Sequence, residues 1–449
     1  MLAKTRNAGR AWLVFEVGLL LTNSTLKVAD RELLAPLYDS VSRDLGLNDL
    51  QFGTVRSAAD MALVAGTLVF GLLAERWQRR RVVALGVLCW SAITWGTGQA
   101  RSFGQLLAAR AGMHFFLAAF SVAAYPMLGD MVPRRSRGMV MGLLGATFAL
   151  GTIVALVIAA LLGTDQWRLP FIYFGVPGLI LGLLVLGFLR EPQRGAGEEE
   201  VMEAGAYAGR FSWAALGRTL RIRTALLVYL LDACQGATWW AFSFWAPAYL
   251  LRYNIAPNAD AAALALLPAI LGFVVGTILG GRLIDLLRPR TPRSAIWVAL
   301  VSMGGALAMS LVVFAARDLT TVLVAGFFLG AFGYLVMPCI NVMLFDVVPP
   351  ETRSSAVAAD AMILSAASAL TSLAIGGVSY SVGLHQGLAE GNLRAGFQGA
   401  VTVLLAMALV AAVAILRFAP ADMARLREHV ARRAVEAPEA LAEPKPALE

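Results

Sequence analysis

The sequence predicts an all-α membrane protein: twelve transmembrane helices arranged as two pseudo-symmetric six-helix bundles. Three observations carry this reading. Hydrophobic residues make up 59% of the 449 and charged residues only 15%, with a mean hydropathy of +0.71, whereas soluble domains carry about a quarter charged residues. Apolar stretches of about 20 residues, the length that crosses a bilayer, follow one another along the chain with short charged loops between them. The loop motifs of the first half then return in the second.

Taken in order, the first half (1–189) holds apolar runs at 11–37, 55–74, 82–100, 103–131, 139–162 and 169–189. The first is too long and too polar for the core of a cleaved signal and no small-residue cleavage site follows it, so it reads as a span. A polar linker (190–222) opens with Arg190-Glu191-Pro192, carries the acidic run Glu198–Glu200 and closes with the basic amphipathic stretch FSWAALGRTLRI. It is expected to form a mobile loop and then a short helix along the membrane interface. The second half (223–418) holds runs at 224–251, 260–287, 295–315, 319–347, 354–383 and 395–418. The tail (419–449) turns rich in Ala, Pro and Glu beyond Arg433 and is expected to be partly disordered.

The net charge of +8 could suggest a nucleic-acid partner, but the basic residues sit in loops between apolar runs. Clusters at Lys4, Arg6 and Arg10, at Arg76 and Arg79–Arg81, at Arg134, Arg135 and Arg137, and at Arg288, Arg290 and Arg293 alternate with loops of single charges such as Arg101, Arg168, Arg252 and Arg317. By the positive-inside rule the clusters face the cytoplasm. This places both termini there, in a multi-pass protein of the cytoplasmic (inner) membrane. Cys89, Cys234 and Cys339 lie far apart in apolar runs, and the three histidines (His114, His385, His429) show no metal-ligand spacing. No phosphate-binding P-loop is present. Neither enzyme chemistry, a cofactor nor a metal is expected. Gly276-x-x-x-Gly280 and the Gly142–Gly151 spacing predict close helix packing.

The repeated motifs are specific. GLLAERWQRR (71–80) is answered by GRLIDLLRPR (281–290), so that Gly71, Glu75 and Arg80 match Gly281, Asp285 and Arg290. DMVPRRSR (130–137) is answered by DVVPPETR (346–353), which share Asp130 with Asp346 and Arg137 with Arg353. A carboxylate at the end of one helix and arginines at the start of the next make cross-helix ion pairs and contacts with helix termini. Gly71, Glu75, Arg76, Arg79, Arg80, Asp130 and Arg137, with Asp285, Arg288, Asp346 and Arg353, are therefore candidates for a cytoplasmic gate, intact when the cavity opens outward. The plainer reading makes the arginines topology anchors only.

This signature and its repeat resemble the major facilitator superfamily of transporters over nearly the whole chain, with Glu75 and Gln78 departing from its usual Asp and Gly. ADRELLAPL (29–37) with DLGLNDLQFG (44–53), WRLPFIYFGVPGLILGLL (167–184) running into LREPQRG, and FWAPAYLLRYNI (244–255) resemble the spinster-type lipid transporters. The resemblance implies alternating access around a central cavity and a role for Asp30 and Arg31. Registering the fourth span by Arg110, Gly112, Ser121, Ala124, Tyr125, Asp130 and Pro133 puts that family's membrane-embedded Glu on Leu117. Coupling through that position is ruled out in this chain.

Ionisable residues at membrane depth cost roughly 2.5–3.5 kcal/mol each on insertion scales and usually face a cavity or a partner. Glu16, Asn23, Lys27 and Asp30 share a face of the first span, flanked by Arg31. They are expected to line the cavity, unless Asp30 and Arg31 simply sit at the outer interface. Arg110, His114, Ser121 and Tyr125 share a face of the fourth span, suited to an anionic headgroup or a proton relay, or to an ion pair that only holds helices together. Asp232, Gln235 and Trp239 follow helical spacing in the seventh, and Asp60 and Asp360 are further acids at membrane depth. Asp30 is the first candidate for proton coupling, with Lys27 or Arg31 favouring its ionised form.

The leading functional expectation is a secondary transporter, acting as a monomer, for an amphiphilic, anionic, lysophospholipid-like lipid, with protons as coupling ion. Alternatives are a proton-linked carrier of a small organic anion or drug-like compound, and a membrane receptor or scaffold without flux. Matched motifs in both halves argue against the last.

Overall fold

A computed structural model describes residues 2–132, 134–162, 166–192, 217–291, 293–349, 352–388 and 390–442. Most of the linker and the last seven residues lie outside the described residues. So do the side chains of 2–11, 133–138, 141, 353–355, 358 and 429–442, which include Arg137 and Arg353.

The first half comprises α1 (Leu2–Glu32), the short α2 (Tyr38–Leu45), α3 (Asp49–Arg76), α4 (Arg79–Thr97), α5 (Phe103–Met131), α6 (Arg134–Leu162) and α7 (Arg168–Phe188). The second comprises α8 (Arg223–Arg252), α9 (Ala259–Leu264) continued by α10 (Leu267–Leu287), and α11 (Ser294–Ala315). It goes on through α12 (Leu319–Leu335) continued by α13 (Met337–Phe345), α14 (Arg353–His385), and a π-turn (Arg394–Gln398) leading into α15 (Gly399–Ala442). Ten of the resulting segments are long and apolar enough to cross a membrane. The other two, α4 and α8, have the length (19 and 30 residues) but are more polar: α4 opens with three arginines and α8 carries Asp232 and Gln235. The fold is that of two six-helix bundles.

The boundaries differ from the predicted runs where proline or a cap intervenes. The run 11–37 breaks after Glu32, because Pro36 cannot continue a helix; Leu33, Leu34 and Leu37 stay buried beneath the added helix α2. The second span starts at Asp49 rather than 55. Asn48 accepts from the Gln51 amide at 2.9 Å and Gln51 accepts from the Asn48 amide at 3.1 Å, a complete capping box. Pro268 and Pro338 sit in the first turns of α10 and α13, where the eighth and tenth runs are interrupted. α15 continues as helix to Ala442, past the predicted end of the last span.

Small residues set the closest approaches. A Cβ on Gly276 or Gly280 would meet the carbonyl oxygens of Ala331 and Leu335 at 2.0 and 2.2 Å, so α10 and α12 touch backbone to backbone. Gly151 packs likewise on Thr25, whereas Gly142 faces open space and does not contribute the contact its spacing predicts. Across the boundary between the halves, a Cβ on Gly53 would lie 2.6 Å from the Ser372 carbonyl oxygen, and one on Gly376 would lie 2.5 Å from that of Asp49. The contacts between the halves gather near the Asp49 end of the helices. At the opposite, arginine-rich end, Glu75, Arg76, Asp285 and Arg288 are exposed. Asp130 closes α5 and Asp346 follows α13 at that same end, as the repeat requires.

Candidate functional site

Between the halves lies a cavity of about 430 Å³, walled by α1, α3, α5 and α6 of the first half and closed by Trp240 of α8. That volume falls within the roughly 300–1,000 Å³ of small-molecule sites. Lys27 and Arg31, one helical turn apart on α1, supply its charge. Leu63, Leu117, Leu144, Phe148 and Trp240 supply an apolar wall. Leu117 is buried in this wall, so the position where the family resemblance puts a carboxylate is hydrocarbon.

Lys27 is held by hydroxyls and rings. Its Nζ donates to Tyr125 Oη at 2.6 Å and Ser121 Oγ at 3.0 Å, and it lies 4.9 Å from the Tyr125 ring centre. No carboxylate of the described residues lies within 4 Å of it. A buried ammonium is normally paired, and among the described residues Lys27 lacks a counterion. Arg31, by contrast, is engaged on three sides. It donates to Asp60 Oδ1 at 3.2 Å, lies 3.8 Å from Glu32, and stacks on Trp240 at 3.9 Å across the boundary between the halves. Asp60 also accepts from Arg56 Nε at 3.0 Å, and Arg56 reaches Glu32 at 4.0 Å.

Asp30, Arg110 and His114 are brought together, but away from the cavity, as the anchor of α1. Arg110 Nη2 donates to the carbonyl oxygens of Asp30 and Arg31 at 3.1 and 3.2 Å, satisfying acceptors that a helix end leaves open. Its Nη1 lies 3.5 Å from Asp30 Oδ1, and Thr94 donates to Oδ2 of the same carboxylate. His114 Nδ1 lies 3.0 Å from the Arg110 carbonyl oxygen and so carries the hydrogen, which leaves Nε2 without a hydrogen-bond partner among the described residues. The cation beside Asp30 is thus Arg110, where the sequence pattern suggested Lys27 or Arg31.

The remaining members of the predicted stripe also turn elsewhere. Glu16 accepts from the Arg190 amide at 2.8 Å, tying the start of the linker to α1. Asn23 donates to the Leu19 carbonyl at 2.9 Å. On α8, Asp232 and Gln235 are buried, and Trp239 stacks on Phe273 at 6.0 Å and meets Tyr334 edge-on at 5.0 Å. Asp232 interacts with the neighbouring carboxyl group of Asp360 on α14. Neither has a cation within 4 Å among the described residues.

At the arginine-rich end, Arg79 donates to Asp130 at 2.7 Å, joining α4 to α5. Glu191 accepts from the Arg79 and Arg80 amides at 3.0 and 2.8 Å, placing a carboxylate on the positive end of α4. Arg80 also donates to the Leu189 carbonyl oxygen at 3.3 Å. These contacts stay within the first half and the start of the linker. The half-buried Gly71 and Asp346 keep their places at the helix ends.

The opposite end carries a cluster that sequence reasoning did not assemble. Arg252, closing α8, donates to Asp49 Oδ2 at 2.7 Å and Oδ1 at 2.9 Å, and to Tyr38 Oη at 2.8 Å. Tyr38 and Ser379 both donate to Asp49. Burial, and then the Asp49 charge, raises the Tyr38 hydroxyl well above its ordinary range, which keeps it a donor. Both motif stretches were visible in the chain, but no local signal pairs residues so far apart.

Two helical halves thus enclose a charged cavity. The chain belongs to the Major Facilitator Superfamily, whose family model matches residues 20–310. It is 28% identical over 295 residues to the "Probable galactarate/D-glucarate transporter GudP" of Bacillus subtilis (strain 168), covering 61% of this chain and 65% of that protein, just under two thirds of its length. It is 22% identical over 360 residues to the sphingosine-1-phosphate transporter SPNS2 of Danio rerio, covering 76% and 71% of the two chains. Among solved structures, a bacterial homolog of the human lysosomal transporter Spinster, inward-facing and unoccupied, has the same fold, with a TM-score of 0.77 at 20% identity over 93% of this chain and 98% of that one.

Proposed function

We propose that this protein is a secondary active transporter of an amphiphilic organic anion, lysophospholipid-like in character, working by alternating access in the cytoplasmic membrane. The observation that carries this is Lys27: a buried ammonium on the cavity wall, without a carboxylate partner among the described residues and facing an apolar surface. An anionic headgroup would supply the missing counterion while its apolar body covers Leu63, Leu117 and Phe148. Arg31, already stacked on Trp240, is the second cation within reach.

The positive-inside rule sets the arginine-rich end in the cytoplasm. On that reading both termini are cytoplasmic, and the state described is inward-facing, sealed outside by Asp49, Arg252 and Gly376. The Glu75–Arg80 and Asp285–Arg290 segments then close the cytoplasmic end in the opposite state. Asp232 and Asp360 are neighbouring acids with no cation within 4 Å among the described residues, an arrangement that favours a shared proton. Those two acids are therefore assigned the coupling proton, because Asp30 is committed to Arg110 and Thr94.

A second reading, a compact organic acid, is favoured by the cavity volume of about 430 Å³ and by the relative named for sugar acids. Against it, Ser121 and Tyr125 are already engaged by Lys27 and Thr147 by Ser24, leaving few groups for a polyol. Uptake into proteoliposomes decides. A lysophospholipid should be taken up with saturation and faster under a proton gradient, whereas a sugar acid should not compete. Competition by sugar or aromatic acids with no lysolipid uptake would overturn the lipid reading.

A further inference from the structure

A second cavity, of about 510 Å³, opens at the arginine-rich end of the second half and shares no lining residue with the central one. Three arginines converge on it: Arg221 at the end of the linker, Arg223 at the start of α8, and Arg425 on α15. Among the described residues neither Arg221 nor Arg223 has an ion-pair partner. Arg223 lies 5.8 Å over the Phe418 ring. The one carboxylate of the lining, Asp422, is already used. It accepts from the Thr224 amide at 3.1 Å and hydroxyl at 2.7 Å, and lies 3.4 Å from Arg425. Among the described residues the pocket therefore keeps an excess of positive charge.

Its position says what could neutralise it. α8 begins there, and α15 leaves its apolar stretch there, so the pocket lies where helices emerge from the membrane. Leu220 and Leu226, 38% and 44% exposed, flank it and offer apolar surface beside the guanidinium groups. Guanidinium forks match phosphate oxygens, and basic pockets between helices at this level suit anionic headgroups.

We infer that Arg221, Arg223 and Arg425 form a binding site for a phosphate-bearing anion, supplied by the headgroup of an anionic phospholipid of the surrounding leaflet. The site is separate from the transported substrate's, and its test needs no transport.

The full-length protein is extracted from bilayers of mixed phosphatidylglycerol and phosphatidylcholine, and bound lipid is counted by native mass spectrometry. The wild type should retain phosphatidylglycerol over phosphatidylcholine. Arg221→Gln/Arg223→Gln/Arg425→Gln should lose that preference, roughly fivefold for each arginine removed, while Arg101→Gln at the opposite end leaves it unchanged. The lysine triple should keep part of it, and the single Arg223→Gln gives the same reading if the triple does not fold. Equal retention in wild type and glutamine variants, or equal retention of the two lipids, overturns the site. In a parallel arm, inorganic phosphate replaces phosphatidylglycerol; full occupation of the pocket by phosphate assigns it to a soluble anion and overturns the lipid source.

Discussion

Arg252 and Asp49 form a two-pronged ion pair, with oxygens at 2.7 and 2.9 Å, that joins the last residue of α8 to the first of α3 and so spans the two halves of the molecule. Asp49 is fully buried and Arg252 only slightly exposed, so water screens the pair little. On the alternating-access reading, opening this end would break it. Removing one partner of such a pair costs about 2 kcal/mol or more, roughly thirtyfold in a population. Arg252→Ala and Asp49→Asn should thus favour the conformer open at this end. Spin labels on α2 and α14 should report longer distances; an unchanged distribution would show that helix packing alone holds the closure.

Lys27 gives the second prediction. Hydrogen bonds to a charged group contribute about 1.5–3 kcal/mol, so Lys27→Met should raise the KM for the anionic substrate on the order of tenfold or more. Tyr125→Phe, which only loosens the ammonium, should raise it a few-fold. The Met variant should be at least as thermostable as the wild type, because an unpaired buried charge is removed. A Lys27→Met protein that transports with unaltered KM would rule out a role for the ammonium in binding.

The span count, the two halves and the matched helix-end motifs were legible in the chain because hydropathy and local charge are short-range signals. What was not legible depended on partners distant in sequence. Arg252 and Asp49 lie 203 positions apart, and Arg252 reads as one more loop charge. Arg56, within the predicted run 55–74, belongs to none of the motifs, yet it is buried against Asp60 and Glu32. The α1 stripe was real as a pattern, but a helix buried on several sides sends neighbours in that pattern to different partners. Lys27 reaches the cavity, Asp30 reaches Arg110, and Glu16 reaches the linker. Glu191 was in view within LREPQRG, and the arginine-led start of α4 was the signal that could have paired them.

Outside the membrane, Asp44 offers a pH test. Arg168 donates to it at 2.7 Å and Trp167 at 3.2 Å, and the Arg168 hydrogen bond holds its carboxyl below the ordinary carboxylate range. A group whose folded pKa is depressed stabilises the fold above its unfolded pKa, near 4, and loses that contribution as pH falls through the folded value. Both side chains are substantially exposed, so the effect is small, within about 1 kcal/mol. Acidification from about pH 6 to about pH 3 should lower the Tm of the wild type more than that of Asp44→Asn. Equal drops would mean that solvent screens the pair completely.

The last prediction concerns the acids of the second half. Asp232 and Asp360 interact with each other, and with the hydroxyls of Tyr334 and Tyr229 respectively, and no cation lies within 4 Å of either among the described residues. Two carboxylates in contact in a low-dielectric site repel unless a proton lies between them. Asp232→Asn or Asp360→Asn substitutes a permanently neutral partner and removes the site where that proton would be exchanged. Either variant should retain exchange of substrate across equal concentrations while losing accumulation driven by a pH gradient, and the pH dependence of uptake should flatten. Asp30→Asn should behave differently: it frees Arg110 and loosens α1, lowering thermal stability and exchange together. Were Asp232→Asn to accumulate substrate normally while Asp30→Asn lost only its proton response, the coupling proton would belong to Asp30 and the pair on α8 and α14 would be structural.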